Sequence, residues 1–169
     1  IQIPPHLIAY HVRRYLDSME LLALTIEGAA VCAAPNITPE EIEAAKDRTD
    51  YLWNVDYLYG RSPSILLGII TEHIEIEGLN TIYTLLRRNL RIGRSIPAMV
   101  DTVKTAENIQ IHTQCVEALD ILSKGNHEAF SRKSSRIFQY IYRVVIQECK
   151  RLGYYEAAME VYDGSALWK

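Results

Sequence analysis

Several things are scarce in this chain, and each scarcity narrows what it can be. Glycine and proline number eight and six in 169 residues, and they fall between apolar-periodic stretches. Turn-rich sheet architectures are therefore not indicated. Cysteine appears three times, as Cys32, Cys115 and Cys149, with wide spacings and no Cys-x-x-Cys. Neither a zinc ribbon nor a dithiol redox motif is present, and free cysteines among apolar residues fit a reducing cytoplasm. Long apolar runs are missing too. The stretch 65–70 (ILLGII) is far short of the roughly 20 residues needed to span a bilayer, so no membrane association is expected. Pro4 and Pro5 interrupt the start of the chain, where a signal peptide would need an apolar segment. Basic residues are not in excess: 18 Lys and Arg stand against 21 Asp and Glu, for a net charge of -3. A domain that binds duplex DNA by itself needs a cationic face, and this balance argues against one. Catalytic motifs are also missing. There is no Gly-x-Ser-x-Gly, no phosphate-binding glycine loop and no His-Glu-x-x-His, and the adjacent Glu72-His73 lacks metallopeptidase spacing. No catalytic residue is assigned, and the chain is not read as an enzyme.

What is present suits one folded domain spanning 1–169. Apolar residues make up 49% and charged residues 23%, enough for a core and too balanced for disorder. The dominant apolar period is helical. A first helix is expected after Pro4-Pro5 to about Asp17, and a second over Met19–Ala34, ended by Pro35-Asn36. Thr38-Pro39-Glu40-Glu41 has an N-cap threonine, a proline in the first turn and a glutamate placed for a capping box. That helix should reach about Leu58, before Gly60-Arg61-Ser62-Pro63. Further helices are expected from Ser64 to about Glu77, over Thr81–Ile96 with Asn80 as its cap, and over Thr105–Lys124, closed by Gly125. Asn126 caps the last major helix, to Leu152-Gly153, and the tail has room for a short one. The expected fold is all-α, an antiparallel bundle of six or seven helices with short connections.

Three segments in order carry a resemblance. The first is Glu27-Gly28-Ala29-Ala30 through Ala33-Ala34, followed by Asn36-Ile37-Thr38-Pro39-Glu40-Glu41. The second is Gly78-Leu79-Asn80 opening a stretch that ends Leu85-Leu86-Arg87-Arg88. The third is His112 to Leu119, then Gly125-Asn126-His127-Glu128-Ala129. Over roughly residues 18 to 145 this order resembles the FCD domain, the C-terminal effector-binding domain of one branch of the GntR transcription regulators. The resemblance implies a domain that senses a small effector, an organic acid or acyl compound, and forms a homodimer. It also implies that DNA is reached only through an N-terminal winged-helix domain absent from this chain. The start at Ile1, without Met, is read the same way, as the beginning of a piece.

Most members of that family hold a divalent metal between an Asp and a His four apart on one helix and one His on each of two later helices. His112 falls on the second-histidine position, whereas spacing from Gly125 puts Ile137 at the last. Counting back from Asn80 gives Leu67 and Thr71 at the first two; a two-residue slip gives Ile69 and His73. A transition metal usually needs three protein ligands, and His73, Glu77 and His112 are the residues that could supply them. A histidine on an apolar stripe is more ordinarily a hydrogen-bonded core residue. No cofactor is therefore expected, and family members that respond to fatty acids do without the metal.

The ligand-binding candidates are His112, Asn89 and His73. His112 shares a stripe with Cys115, Leu119 and Leu122, and His73 lies with Leu66, Ile70 and Glu77. Asn89 is polar on a stripe with Ile82, Leu86, Leu90 and Gly93. Arg87, Arg91 and Arg94 fall on the opposite side, most simply a solvated face. Eleven tyrosines, crowded near the C-terminus at Tyr140, Tyr142, Tyr154 and Tyr155, suit an interface. Two other functions stay open: a helical interaction module without a pocket, and an enzyme whose site carries no familiar motif.

Overall fold

The computed structural model describes residues 5–91 and 101–162. Within them the chain is all helical, with no strand: α1 (Pro5–Ala33), α2 (Pro39–Asn54), α3 (Ser62–Glu72), α4 (Glu77–Leu90), α5 (Ala106–Ser123), α6 (His127–Arg151) and α7 (Tyr154–Tyr162). A 3-10 turn, Ala34–Asn36, follows α1.

Cross-helix contacts fix the directions. Thr25 and Ser18 of α1 meet Tyr83 and Asn89 of α4 respectively, so the two run antiparallel. On α2, Lys46 pairs with Asp120 and Trp53 with His112, again in opposite order along α5. Gln110 and Glu117 of α5 meet Tyr140 and Lys133 of α6. Helix α1 also lies along α6 and α7 and touches α3, so it is the element the others share.

The boundaries differ from expectation where a side chain found a use other than capping. No break occurs at Asp17-Ser18. The Ser18 hydroxyl donates back to the Arg14 carbonyl at 2.8 Å, and Asp17 pairs with Arg13, so neither competes for the helix backbone. Helix α2 stops at Asn54, short of Leu58. The Val55 and Asp56 amides both reach the Tyr51 carbonyl, and Tyr57 takes the left-handed region at φ 55°. Helix α3 ends at Glu72, not Glu77, and α4 begins at Glu77. Asn80 is not the cap of α4; its amide donates to the Thr71 and Ile74 carbonyls at and just beyond the end of α3. The expected extension of α4 to Ile96, with Gly93 and Arg94, lies outside the described residues.

Two boundaries match closely. Thr38 and Glu41 form the reciprocal capping box, at 3.2 and 2.8 Å. Gly125 sits at φ 78° and Asn126 caps α6 through the Ala129 amide.

The core has two apolar clusters. One joins Leu22, Ile26 and the alanines 29, 30 and 33 of α1, with Ala34 of the turn that follows, to α3, α5 and α6. Those small residues let neighbouring backbones come close. The other gathers Val12, Tyr15, Leu16 and Met19 against Val145, Cys149 and Ala158. Leu90 and Ile141 touch both. On α4 the buried residues are Tyr83 and Leu86, while Ile82 is 47% exposed. The expected stripe thus keeps Leu86 and Leu90 but takes Tyr83 inward in place of Ile82.

Candidate functional site

The three sequence candidates lie in separate places. His112, on the first turns of α5, stacks on Trp53 with centroids 4.0 Å apart and planes 11° from parallel. Its Nδ1 lies 2.7 Å from the Ser62 hydroxyl at the start of α3. Lys104 Nζ stands over Trp53 and Tyr59. Burial holds the His112 pKa below the usual value, with Lys104 adding to the effect and Asp50 opposing it. His112 is therefore a neutral imidazole in a small aromatic cluster.

His73 sits at the other end of α3. Its Nδ1 faces the Ile69 carbonyl at 2.7 Å and its Nε2 faces Glu41 Oε2 at 2.8 Å. Both neighbours are acceptors, so this geometry calls for the doubly protonated ring. Burial opposes the charge, but Glu41, the Ile69 carbonyl and the charge of Glu72 outweigh it, and the pKa is raised. Asn89 donates to the Ser18 hydroxyl at 3.1 Å and joins α4 to α1. Glu77 lies exposed in the first turn of α4. Among the described residues no three His, Cys, Asp or Glu side chains group as a metal site, and His73, Glu77 and His112 do not meet in one.

The candidate site is instead a cavity of about 750 Å³ among α1, α3, α4, α5 and α6. Its size falls within the range usual for small-molecule sites. None of His112, Asn89 and His73 lines it. The apolar floor is built by Met19, Leu67, Leu90, Ile111, Phe138 and Ile141. Ile111 is the immediate neighbour of His112, and about 100° of helical rotation sends one into the cavity and the other toward Trp53. Asn108, Thr105 and Tyr140 supply polar groups toward the outside, although Tyr140 already donates to Gln110.

Charge at the cavity is largely paired. Arg61 Nε and Asp101 Oδ2 are 2.5 Å apart, close enough for an ion pair but not aligned as a hydrogen bond. The Asp101 side chain is only 17% exposed. This contact explains Gly60: a Cβ there would lie 2.6 Å from Asp101 Oδ1, so any larger residue would displace the carboxylate. Arg151 holds Glu148 through two hydrogen bonds, which lower the Glu148 pKa. Arg143 lines the outer part, exposed and without an ion pair among the described residues.

Tyr15 is the buried polar residue among those that line the cavity. It is 7% exposed and lines the cavity, yet its hydroxyl has no hydrogen-bond partner among the described residues. The hydroxyl is not wholly sealed in the core, and the residue lines the cavity. Burial, with smaller effects from Cys149 and Asp101, pushes its pKa far up, so the phenol is a neutral donor. Sequence reasoning passed over Tyr15 because it occupies an ordinary core position beside Val12, Leu16 and Met19.

Cys115 is fully buried and its thiol pKa is raised by that burial; burial likewise pushes Cys149 up to about 11. Both are inert thiols. No helix among the described residues is long and apolar enough to cross a membrane. No family model matches the chain, and neither a curated protein nor a solved structure matches it.

Proposed function

We propose that the chain is the effector-sensing and dimerisation domain of a GntR-like transcription regulator, binding a small organic acid or acyl compound in the cavity among α1, α3, α5 and α6. The observation that carries this reading is the cavity itself. It has a continuous apolar floor, one unpartnered buried donor and a polar rim, as a small-ligand site requires. The FCD-like order of motifs adds the regulator, and DNA would be contacted by a winged-helix domain outside this chain. Coupling requires that the ligand prefer one arrangement of the bundle or dimer.

A face for the second copy is available. On α1, Leu21, Leu24 and Val31 are 43%, 76% and 54% exposed, with Gly28 beside them under open space. On α4, Ile82 and Leu85 are 47% and 52% exposed. Asn89, one heptad after Ile82 on the same side of α4, meets Ser18 of α1, so the two apolar rows adjoin. The acidic Glu27 borders the first and the basic Arg88 the second, both exposed, which suits a two-fold pairing of α1 with the other copy's α4. Leu24→Glu should shift a dimer to monomer in sedimentation velocity.

The test of the pocket is thermal shift against a panel of organic acids and acyl compounds, since binding to the native state raises apparent stability. Ile141→Trp should abolish the response by filling the cavity, while Arg132→Ala on the outer surface should not. A ligand that survives Ile141→Trp but is lost in His112→Ala would return the site to the histidine cluster. The chain alone is expected to give no sequence-dependent gel shift with duplex DNA.

One observation favours an enzyme as a second reading. Ser62 and His112 stand at the 2.7 Å of a nucleophile and its base. Against it, Ser62 is 4% exposed and outside the cavity lining. Hydrolysis of an activated ester that disappears in Ser62→Ala would establish that reading.

A further inference from the structure

Resting on the cavity as a ligand site, we infer that Tyr15 is its polar anchor and that it selects acyl compounds with an uncharged carbonyl, such as amides or esters, over the matching free carboxylate. Tyr15 lines the cavity and is 7% exposed, and its hydroxyl has no hydrogen-bond partner among the described residues. A buried donor left without an acceptor is costly, and a ligand oxygen placed there removes the cost. Met19 is one helical turn along the same side of α1, and Leu90 and Ile141 continue the apolar surface. A ligand that puts its oxygen on Tyr15 lays its hydrocarbon part on these side chains.

The surrounding charges decide which oxygen. A carboxylate at this depth needs a cation to replace its lost hydration. Asp101 is close enough to act on the Tyr15 hydroxyl, and its own charge is already answered by Arg61. Arg151 is bound to Glu148. Arg143 has no ion pair among the described residues and lines the same cavity, but it is exposed, at the outer part, where Tyr15 is buried. A carboxylate beside Tyr15 would meet the Asp101 charge, and among the described residues the lining cation without an ion pair is the exposed Arg143. A neutral carbonyl accepts the same hydrogen bond without that repulsion.

Isothermal titration of the full chain with octanamide and with octanoate tests the inference. The amide should bind about tenfold or more tightly than the acid. Tyr15→Phe, which keeps the ring and its packing, should weaken the amide about tenfold, the scale of one hydrogen bond, and change the acid little. Equal or tighter binding of octanoate by the wild-type chain would overturn the inference without needing any variant. Amide affinity within twofold of wild type in Tyr15→Phe would overturn it as well. In either case, loss of binding in Ile141→Trp would show that the cavity still holds the ligand and that only the role of Tyr15 is wrong. If neither probe binds the wild-type chain, the cavity reading and the inference fall together.

Discussion

The two ends of α3 each hold a histidine, and the pair shows how little a residue type says before its neighbours are known. At the N-terminal end, His112 faces a hydroxyl and the ring of Trp53, and burial keeps it neutral. At the C-terminal end, His73 faces a carboxylate and a carbonyl, and those acceptors keep it charged. One is an aromatic plate in a stack. The other is a cationic clasp that ties the end of α3 to the capping box of α2. Both came from sequence as inward polar residues on apolar stripes, and neither reaches the cavity.

The comparison can be broken most severely from the aromatic side. Trp53→Ala removes the plate under His112 and the edge contact to Tyr59; as Trp53 is half-buried, about 2 kcal/mol of stability should be lost in denaturant unfolding. The His112 ring should then titrate closer to the ordinary imidazole value in an NMR pH series. Ser62→Ala should cost less, about 1–2 kcal/mol, by leaving Nδ1 of His112 without its partner. At the clasped end, Thr38→Ala removes the cap that shares Glu41 with His73, and about 1 kcal/mol should be lost.

The smallest effect, and the sharpest, is the sign of the pH dependence. His73 has a raised folded-state pKa, so its contribution is complete below the unfolded value near 6.5 and fades as pH climbs through the folded value. His112 has a lowered one, so its neutral form favours folding above about 6.5 and that advantage is lost as pH falls toward the folded value. Unfolding midpoints measured from pH 5 to 8 should therefore fall with pH less steeply in His73→Gln, and rise with pH less steeply in His112→Gln, than in the wild type. Two profiles with the same slope change would refute the contrast.

Local signals were legible where the partner is close in sequence. Thr38 and Glu41 are three residues apart, and Gly125-Asn126 closes one helix and opens the next, so the sequence contains both halves of each device. Asn80 was misread because its acceptors belong to the preceding helix, a tertiary fact that capping preference cannot carry. The break expected at Asp17-Ser18 failed for a related reason: a mid-helix serine can bond its own backbone and stay helical. The cavity was beyond reach for a deeper cause. Periodicity sorts each helix into two sides, but Tyr15, Leu67, Ile111 and Phe138 come from four helices, and nothing along the chain marks where four inward sides fail to fill the space between them. The absence of a partner for Tyr15 is likewise a property of its surroundings, not of its position in a stripe.

The unbroken course of α1 has a mechanical consequence. Its 29 residues make a rod of about 43 Å, with Tyr15 and Met19 against the cavity and Ile26 through Ala33 wedged into the alanine-lined core farther along. Had the chain bent at Ser18, a push at Tyr15 could have been absorbed locally. A continuous rod has no such joint. A guest that nudges Tyr15 along the axis must also slide Leu24 and Gly28 on the outer surface, which makes α1 a lever with its load arm facing away from the pocket.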